Sequence, residues 1–438
     1  MFEPLYSAAE MRAAEEGHDV AELMERAGAA VAHEVLQRFP DARRIAVVCG
    51  SGSNGGDGRI AARILREEGL DAVETTAVEH ADVIVDALFG TGFHGRPRAE
   101  AAAAIGRINA ARAPVVSVDV PSGIDASTGE VDGVAVRAAL TVTFHGVKAG
   151  LAIAPGLFHT GEVTIAEIGL EPAETELRLV TPPILSVVPR RRSEDNKYSA
   201  GAVLVVGGSP GMTGAVCLAA EAALRADAGY VAVAVPERSL PIVEARLLEP
   251  VKVIWEDAFR AAEKAGALAI GPGIGRGPEA LRLRDELITA GMPVVLDADA
   301  LHDLEPGDWG GRAVLTPHAG ELGHLLGEES AWVNAHRLEA AQRGADRFGA
   351  VLLLKGADTI VAAPGQGALV CVTDAPGLAT AGTGDVLTGI LAAFLAKGVE
   401  PRLAAAAAAT AHGLAAHGLP QRGLVASDVI AALPSVLA

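Results

Sequence analysis

The stretch Ala381-Gly382-Thr383-Gly384-Asp385-Val386-Leu387-Thr388-Gly389 runs from small residues into a helical pattern. Val386, Ile390 and Phe394 recur on one face, with Leu387, Leu391 and Leu395 beside them. Lys397 and Gly398 stand where a cation and a glycine end helices. The spacing predicts that Gly382, Thr383 and Gly384 wrap the N-terminus of a buried helix. Free backbone N–H groups at such a start bind an anion without any basic side chain. Asp385 then falls in the first turn, beside that anion. The helix dipole is expected to keep its carboxylate ionised, and a carboxylate so placed can take a proton from a hydroxyl attacking a phosphate. Read alone, the same residues also fit a tight turn with Asp opening a helix.

Upstream, apolar strands alternate with helical segments. Ala202–Val206 leads into Gly207-Gly208-Ser209-Pro210-Gly211-Met212-Thr213-Gly214-Ala215, and Ala267–Ile270 into Gly271-Pro272-Gly273-Ile274-Gly275. Val294–Leu296 ends in Asp297-Ala298-Asp299, Val314–Thr316 in Pro317-His318-Ala319-Gly320-Glu321, and Val351–Leu354 in Lys355-Gly356-Ala357-Asp358-Thr359. Near-continuous apolar strands between helices predict a parallel sheet covered on both faces.

The same logic organises the first part of the chain. Residues 7–38 read as helical, broken near Gly17. Ile45–Cys49 is a short buried strand running into Gly50-Ser51-Gly52-Ser53-Asn54-Gly55-Gly56-Asp57-Gly58, with a helix following through Ile60. Gly50, Gly52 and Gly55 satisfy G-x-G-x-x-G, with Asp71 and Glu74 at the distance of a ribose partner. Two more strands end in polar loops: Val83–Asp86 before Ala87–Arg96, and Val115–Asp119 before Val120–Asp125. Ligands collect at the carboxyl ends of strands in open parallel sheets, so the three loops are expected to converge. A further strand, Leu140–Phe144, leads to His145-Gly146-Val147-Lys148.

The chain has 438 residues, enough for two or three domains. Aromatics are only 3%, so the cores must rest on Ala, Val, Leu and Ile. A net charge of −19 argues against nucleic acid or an anionic membrane surface as partner. Phosphate binding would have to use local backbone donors. Cys49, Cys217 and Cys371 are odd in number and widely spaced, which fits a reducing cytoplasm. No signal-peptide pattern opens the sequence, and the Ala-rich 404–409 tract is too short to span a membrane. The expected location is cytoplasmic. Residues 169–196, with four prolines and Arg190-Arg191-Arg192, read as a linker and the entry to a second domain.

The set GSGSNGGDG, DALFGTG, VDVPSGIDASTGEV and TFHGVKAGL resembles the YjeF N-terminal family, the epimerase of hydrated NADH and NADPH. That family's pattern opens with Asn where this chain has Ser53. The resemblance implies substrate contacts at Ser53, Asn54, Gly55, Gly56, Asp57, Gly90, Thr91, Gly92, Phe93, His94, Gly95, Arg96 and Asp119. It also implies a potassium ion at Asn54, Asp86 and Ser122, whose amide, carboxylate and hydroxyl oxygens suit a hard cation. Asp119 and Lys148 are the expected proton-transfer residues at the epimerised carbon.

GGSPGMTGA, GPGIG, LDADAL, LTPHAGEL, LLLKGADT and AGTGDVLTG are similar to ribokinase-like kinases, and specifically to the YjeF C-terminal family. That family dehydrates hydrated nicotinamide nucleotides at the expense of a nucleotide phosphate. The resemblance implies nucleotide binding by Lys355, Gly356, Ala357, Asp358, Thr359, Gly382, Thr383 and Gly384. It implies hydrate binding by Ala215, Gly273, His318 and Asp385, with Asp385 as base, and Mg2+ carried on ADP.

The expectation is therefore an α/β protein of two domains. Residues 1–178 would form a Rossmann-like three-layer parallel sheet and residues 182–438 a ribokinase-like α/β domain. The first would interconvert the epimers of hydrated NADH and NADPH, and the second would dehydrate one of them with ADP, in a homo-oligomer. The alternative is a ribokinase-like kinase of a vitamin precursor with a non-catalytic N-terminal binding module.

Overall fold

A computed structural model describes all 438 residues. The chain divides into two compact units, one of Pro4–Arg178 with Asn334–Arg337, the other of Met1–Glu3, Leu179–Val333 and Leu338–Ala438.

The first unit is built on a six-stranded sheet. Its order is Asp71–Glu74, Arg44–Cys49, Val83–Ala87, Val115–Val118, Leu140–Phe144, Glu162–Ala166, and every neighbouring pair is parallel. Strand alternation sends Ile45, Val47, Val83, Val85, Val116 and Val118 into one core, with Val31 and Leu65 from helices Val20–Arg38 and Ser53–Glu67. Ala46, Val48, Ile84 and Val115 point the other way, onto Ile105 and Ile108 of helix Ala99–Ala110. Both faces are covered, so the strands read as continuous apolar runs. The strand order reverses between Arg44–Cys49 and Val83–Ala87, which opens a crevice at their carboxyl ends.

The expected break near Gly17 separates helix Ala8–Glu15, capped by Ser7, from Val20–Arg38, capped by Asp19. One boundary differs from expectation. The glycine loop is shorter than its composition suggests, because the helix begins at Ser53 and takes in Asn54, Gly55, Gly56 and Asp57. These glycines serve close packing. A Cβ at Gly55 would lie 2.0 Å from Gly50 O, and one at Gly58 would lie 2.6 Å from Ala87 Cβ. Glu74 accepts from Arg59 Nε and Nη2, which occupies the carboxylate that G-x-G-x-x-G spacing offered to a ribose.

The second unit carries an eleven-stranded sheet. Strands Val251–Ile254, Tyr230–Val235, Ala202–Val206, Ala267–Ile270, Val294–Leu296, Ala313–Leu315 and Val351–Leu354 follow one another in parallel. Asp358–Ala362 and Leu369–Val372 continue antiparallel. One face packs Val203, Val205, Val233 and Ala269 against helices Thr213–Arg225, Thr383–Ala396 and Pro401–His417. The other packs Leu204, Val206, Leu268 and Leu296 on Leu287 and Phe348. At roughly 1.5–3 kcal/mol per fully buried Val, Leu or Ile, these two layers dominate the unit's stability.

Helix Thr383–Ala396 is buried on all sides from Val386 to Leu395, and Lys397 and Gly398 (φ 81°) close it as expected. It crosses Thr213–Arg225 at glycine distance, since a Cβ at Gly389 would lie 2.1 Å from Ala219 O. Helix Pro401–His417 belongs to the same core. Its alanines 404 to 408 are fully buried in this unit's own core, so they offer no face to a second copy. No helix is long and apolar enough to cross a membrane.

Candidate active sites

In the first unit the three loops meet at the strand reversal. Asp119 and His145 follow adjacent parallel strands, and both are left-handed at φ 66°. Two non-glycine residues in that region concentrate backbone strain at one sheet edge. The turn aims Asp119 at Lys148, whose side chain is fully buried. Lys148 Nζ lies 2.6 Å from Asp119 Oδ1 and donates to Phe144 O (2.6 Å) and Thr143 Oγ1 (3.1 Å). Thr143 Oγ1 in turn donates to Asp119 Oδ1 at 3.2 Å.

Asp57 belongs to the same cluster. Burial pushes its carboxyl up to about 8, reinforced by the charges of Asp119 and Glu15, and its Oδ1 has no hydrogen-bond partner. Glu15 is likewise raised, by burial first and then by Asp119. Burial holds the His145 imidazole below its usual range, and its ring stacks on Tyr6 at 5.2 Å. The site thus holds a protonated acid, an ion pair and a neutral imidazole at neutral pH. Glu15, Thr143 and His145 are additions to the expected set. Thr143 and His145 follow from their place at a strand end, whereas Glu15 comes from a separate helix and carries no local signal.

Asp86, Asn54 and Ser122 converge beside Phe89. Asp86 is fully buried and accepts from Ser117 Oγ, Ser122 N and Ser122 Oγ at 2.6–2.9 Å. Ser122 Oγ accepts from Phe89 N at 2.9 Å, and Asn54 Nδ2 donates to Phe89 O at 2.9 Å. Burial raises the Asp86 carboxyl despite these donors. Gly90 passes over Asn54, and a Cβ there would lie 3.0 Å from Asn54 Oδ1. Beyond it Phe93 stacks on Phe89 at 4.7 Å, while Thr91, Gly92, His94 and Gly95 continue a loop with little burial. Arg96 is largely exposed and pairs with Asp132 at 3.3 Å, a surface contact of small energetic weight. Ser53 is exposed at the helix start.

In the second unit the strand order reverses between Ala202–Val206 and Ala267–Ile270. The two loops there are knitted by Gly208 N to Pro272 O (3.0 Å) and Ser209 N to Gly273 O (2.7 Å). Ala215 and Gly273 line a cavity of about 380 Å³ with Ala298, Asp299 and Glu321. His318 lines a second cavity of about 310 Å³, which shares Ala298 and Glu321 with the first. His318 Nδ1 accepts from Gly320 N and Glu321 N at 2.9 and 3.2 Å, so the ring caps helix Ala319–Leu326 and presents its Nε2 edge outward.

The helix that begins at Thr383 has Gly382 as a left-handed N-cap (φ 92°), with Gly384 and Asp385 half-exposed in its first turn. Lys355 stands beside it, since a Cβ at Gly384 would lie 3.6 Å from Lys355 Nζ. A helix N-terminus and an ammonium are therefore neighbours, a combination that suits an anion, although Thr383 N already donates to Thr380 O at 3.4 Å. Lys355 Nζ donates to Asp297 Oδ1 at 2.8 Å and lies 3.7 Å from Glu321 Oε2. Burial alone would lower this lysine, but the Asp297, Glu321 and Asp385 carboxylates hold it above its ordinary value. Asp297 also accepts from Thr316 Oγ1 and Thr388 Oγ1 at 2.8 and 2.7 Å. Of the remaining loop residues, Gly356 and Ala357 are exposed, Thr359 donates to Gly356 O, and Asp358 is buried.

Asp385 departs from expectation in its charge. Burial pushes its carboxyl up to about 7, Asp297 adds to the rise, and Lys355 offsets only part of it. Burial and the Asp297 charge leave the group poised between its two forms rather than fixed as an anion. His412, behind Thr383, is pushed down to about 4 by burial and adds no charge. Asp297 was legible only as one more strand-end carboxylate, and Thr316 and Thr388 carry no signal beyond their neighbours.

An α/β unit with a GTGD helix start beside a Lys–Asp pair has a ribokinase-like fold. Residues 203–434 match the family model described as NAD(P)H-hydrate dehydratase, and residues 20–80 and 70–150 match that of the YjeF-related protein N-terminus. The chain is 39% identical to the bifunctional NAD(P)H-hydrate repair enzyme of Moorella thermoacetica over 90% of its length and 87% of that protein's. It is 39% identical to the enzyme of that name from Pyrobaculum aerophilum, over 95% and 93%. Among solved structures it resembles the ADP/ATP-dependent NAD(P)H-hydrate dehydratase of Bacillus subtilis, co-crystallised with ATP and Mg2+. There the TM-score is 0.55 at 30% identity, covering 58% of this chain and 96% of that one. This chain belongs to the family of bifunctional NAD(P)H-hydrate repair enzymes, with an epimerase and a dehydratase domain.

Proposed function

We propose that residues 1–178 interconvert the R and S forms of hydrated NADH and NADPH, and that residues 182–438 dehydrate the S form with ADP, releasing AMP and phosphate. The observation that carries the dehydratase half is Asp385, near pKa 7, in the first turn of a helix whose start lies beside Lys355. A carboxylate of that pKa is matched to removing a hydroxyl proton at neutral pH. The hydrate would lie along Ala215, Gly273 and His318. The nucleotide phosphates would lie against Gly382, Thr383, Gly384 and Lys355, with Gly356, Ala357, Asp358 and Thr359 beyond. Water is a poor leaving group. As Asp385 takes the hydroxyl proton, the substrate oxygen bonds to the terminal phosphorus of ADP and the bond to AMP breaks. The carbon–oxygen bond then breaks, inorganic phosphate leaves, and loss of a ring proton restores the double bond. Positioned donors stabilise charge on the transferred group.

In the epimerase, Ser53 to Asp57, Gly90 to Arg96 and Asp119 would contact the hydrate. Protonated Asp57 and the Asp119–Lys148 pair can give and take a proton from one cavity wall. Potassium would be held by Asn54, Asp86 and Ser122. The set fits, because Asp86 is wholly buried, pairs with no side-chain cation and is surrounded by hard oxygen donors. Magnesium would ride on the nucleotide phosphates, since the Asp297 carboxylate is already paired with the Lys355 ammonium. A homo-oligomer would have to use exposed helix faces such as that of Val20–Arg38. Incubating the purified chain with each hydrate epimer, with and without ADP, tests the reading. Restoration of NADH from the R form must then require both activities.

A further inference from the structure

Outside the nucleotide and hydrate contacts, His302, Asp303 and His324 each offer one ligand atom, and these atoms all lie within 4.8 Å of one another. We infer that they form a site for a divalent transition ion of the zinc class. Asp303 Oδ2 lies 3.4 Å from His302 Nε2, and Asp303 Oδ1 lies 3.5 Å from His324 Nε2. Those separations are too long for good hydrogen bonds. Each is near the roughly 3.3–3.4 Å separation of neighbouring ligands on metal–ligand bonds of about 2.0–2.1 Å, with one carboxylate oxygen facing each imidazole. The two imidazoles stack nearly parallel, 14° apart with centroids 5.6 Å apart, and a different oxygen of the one carboxylate lies beside each Nε2. Two imidazoles and a carboxylate suit zinc, nickel or iron(II) rather than magnesium or calcium.

The frame around the cluster is fixed from within. His302 ends the short helical turn Ala298–Leu301, and its carbonyl accepts from the buried Arg284 guanidinium, which also holds Ala300 O. Asp303 follows in the left-handed region (φ 48°), which turns its carboxylate back over His302. His324 comes from a different element, helix Ala319–Leu326. Asp303 and His324 are exposed, which leaves an aqueous ion an entry path and open coordination positions for water. His302 and His324 also line the cavity that contains His318. An ion here therefore clips the helix that His318 caps to the turn after Val294–Leu296, tightening the wall formed by Ala298 and Glu321.

The test uses the full chain, stripped with chelator and titrated with zinc chloride in a calorimeter, with cobalt chloride absorption as a second readout. The expected result is one tight equivalent of zinc, a cobalt spectrum of nitrogen and oxygen ligation, and a melting temperature raised by about 2–4 °C. His302→Ala and His324→Ala, which lie on separate elements, each lower the affinity by roughly 100-fold and abolish the shift. Their circular dichroism and metal-free melting temperatures match those of the parent. Absence of a zinc equivalent, or equal binding by both variants, overturns the site.

Discussion

Lys355 Nζ sits 2.8 Å from Asp297 Oδ1, and this pairing governs the chemistry of Asp385. The lysine faces three carboxylates, Asp297, Glu321 and Asp385, and its direct contact is with Asp297. Asp385, left with burial and a neighbouring anion, rises to about 7. An ion pair that does not include Asp385 thus leaves its carboxyl near the value that the proposed general base needs.

The dehydration rate should therefore increase with pH through a midpoint near 7, because only deprotonated Asp385 accepts the hydroxyl proton. Lys355→Met removes the one cation that lowers Asp385, so the midpoint should move up by about 1 unit or more. Its kcat should fall on the order of 100-fold from loss of a phosphate contact. Initial rates of NADH recovery at saturating ADP between acid and alkaline pH measure both effects.

Asp119→Asn should reduce epimerisation by roughly 100-fold or more while leaving dehydration of the S form unchanged. The Asn is nearly isosteric and keeps an acceptor for Lys148, whereas Asp119→Ala would strand a fully buried ammonium at a cost of about 3–5 kcal/mol. Following R-form consumption and S-form dehydration in parallel separates the two outcomes.

Asp57→Asn should stabilise the first unit at alkaline pH. The folded carboxyl titrates at about 8 because of burial, far above an exposed aspartate. The folded state thus holds a proton that the unfolded chain releases. Stability from this group is complete below about pH 4 and drains as pH rises through the folded value. The variant lacks that drain, so its melting transition should exceed the parent's by roughly 4 °C or more at pH above 8, with little difference in acid. Calorimetry across the pH range reads it.

Gly389→Ala tests the helix crossing. The added Cβ would sit 2.1 Å from Ala219 O, a backbone atom that cannot step aside alone. Helices Thr383–Ala396 and Thr213–Arg225 must separate, at about 1–3 kcal/mol, which a denaturant midpoint would register. Because the first of them carries Asp385, dehydration should fall as well, while epimerisation persists.

Much of this was visible in the residues. Alternating apolar runs gave both parallel sheets, because strands buried on two faces must be apolar throughout. The strand-end loops gave the two sites, because a sheet whose order reverses leaves space only there. What stayed hidden depended on three-dimensional neighbours. Asp385 was expected to be ionised from its place on a helix, but burial, and then Asp297 from 88 positions earlier, raise it. Glu15 joins Asp57 and Asp119 from a separate helix with no motif of its own. The alanines 404 to 408 read as an apolar tract too short to span a membrane, whereas the structure buries them in the unit's own core. The glycine run at 50–58 suggested a long loop, whereas its second half is helix packed at glycine distance.

The central claim rests on Asp385, and the most direct measurement is the activity of Asp385→Asn on the two hydrate epimers with ADP. The account predicts no recovery of NADH from the S form, with interconversion of the R and S forms at the parent's rate. Recovery of NADH from the S form at the parent's rate would contradict it.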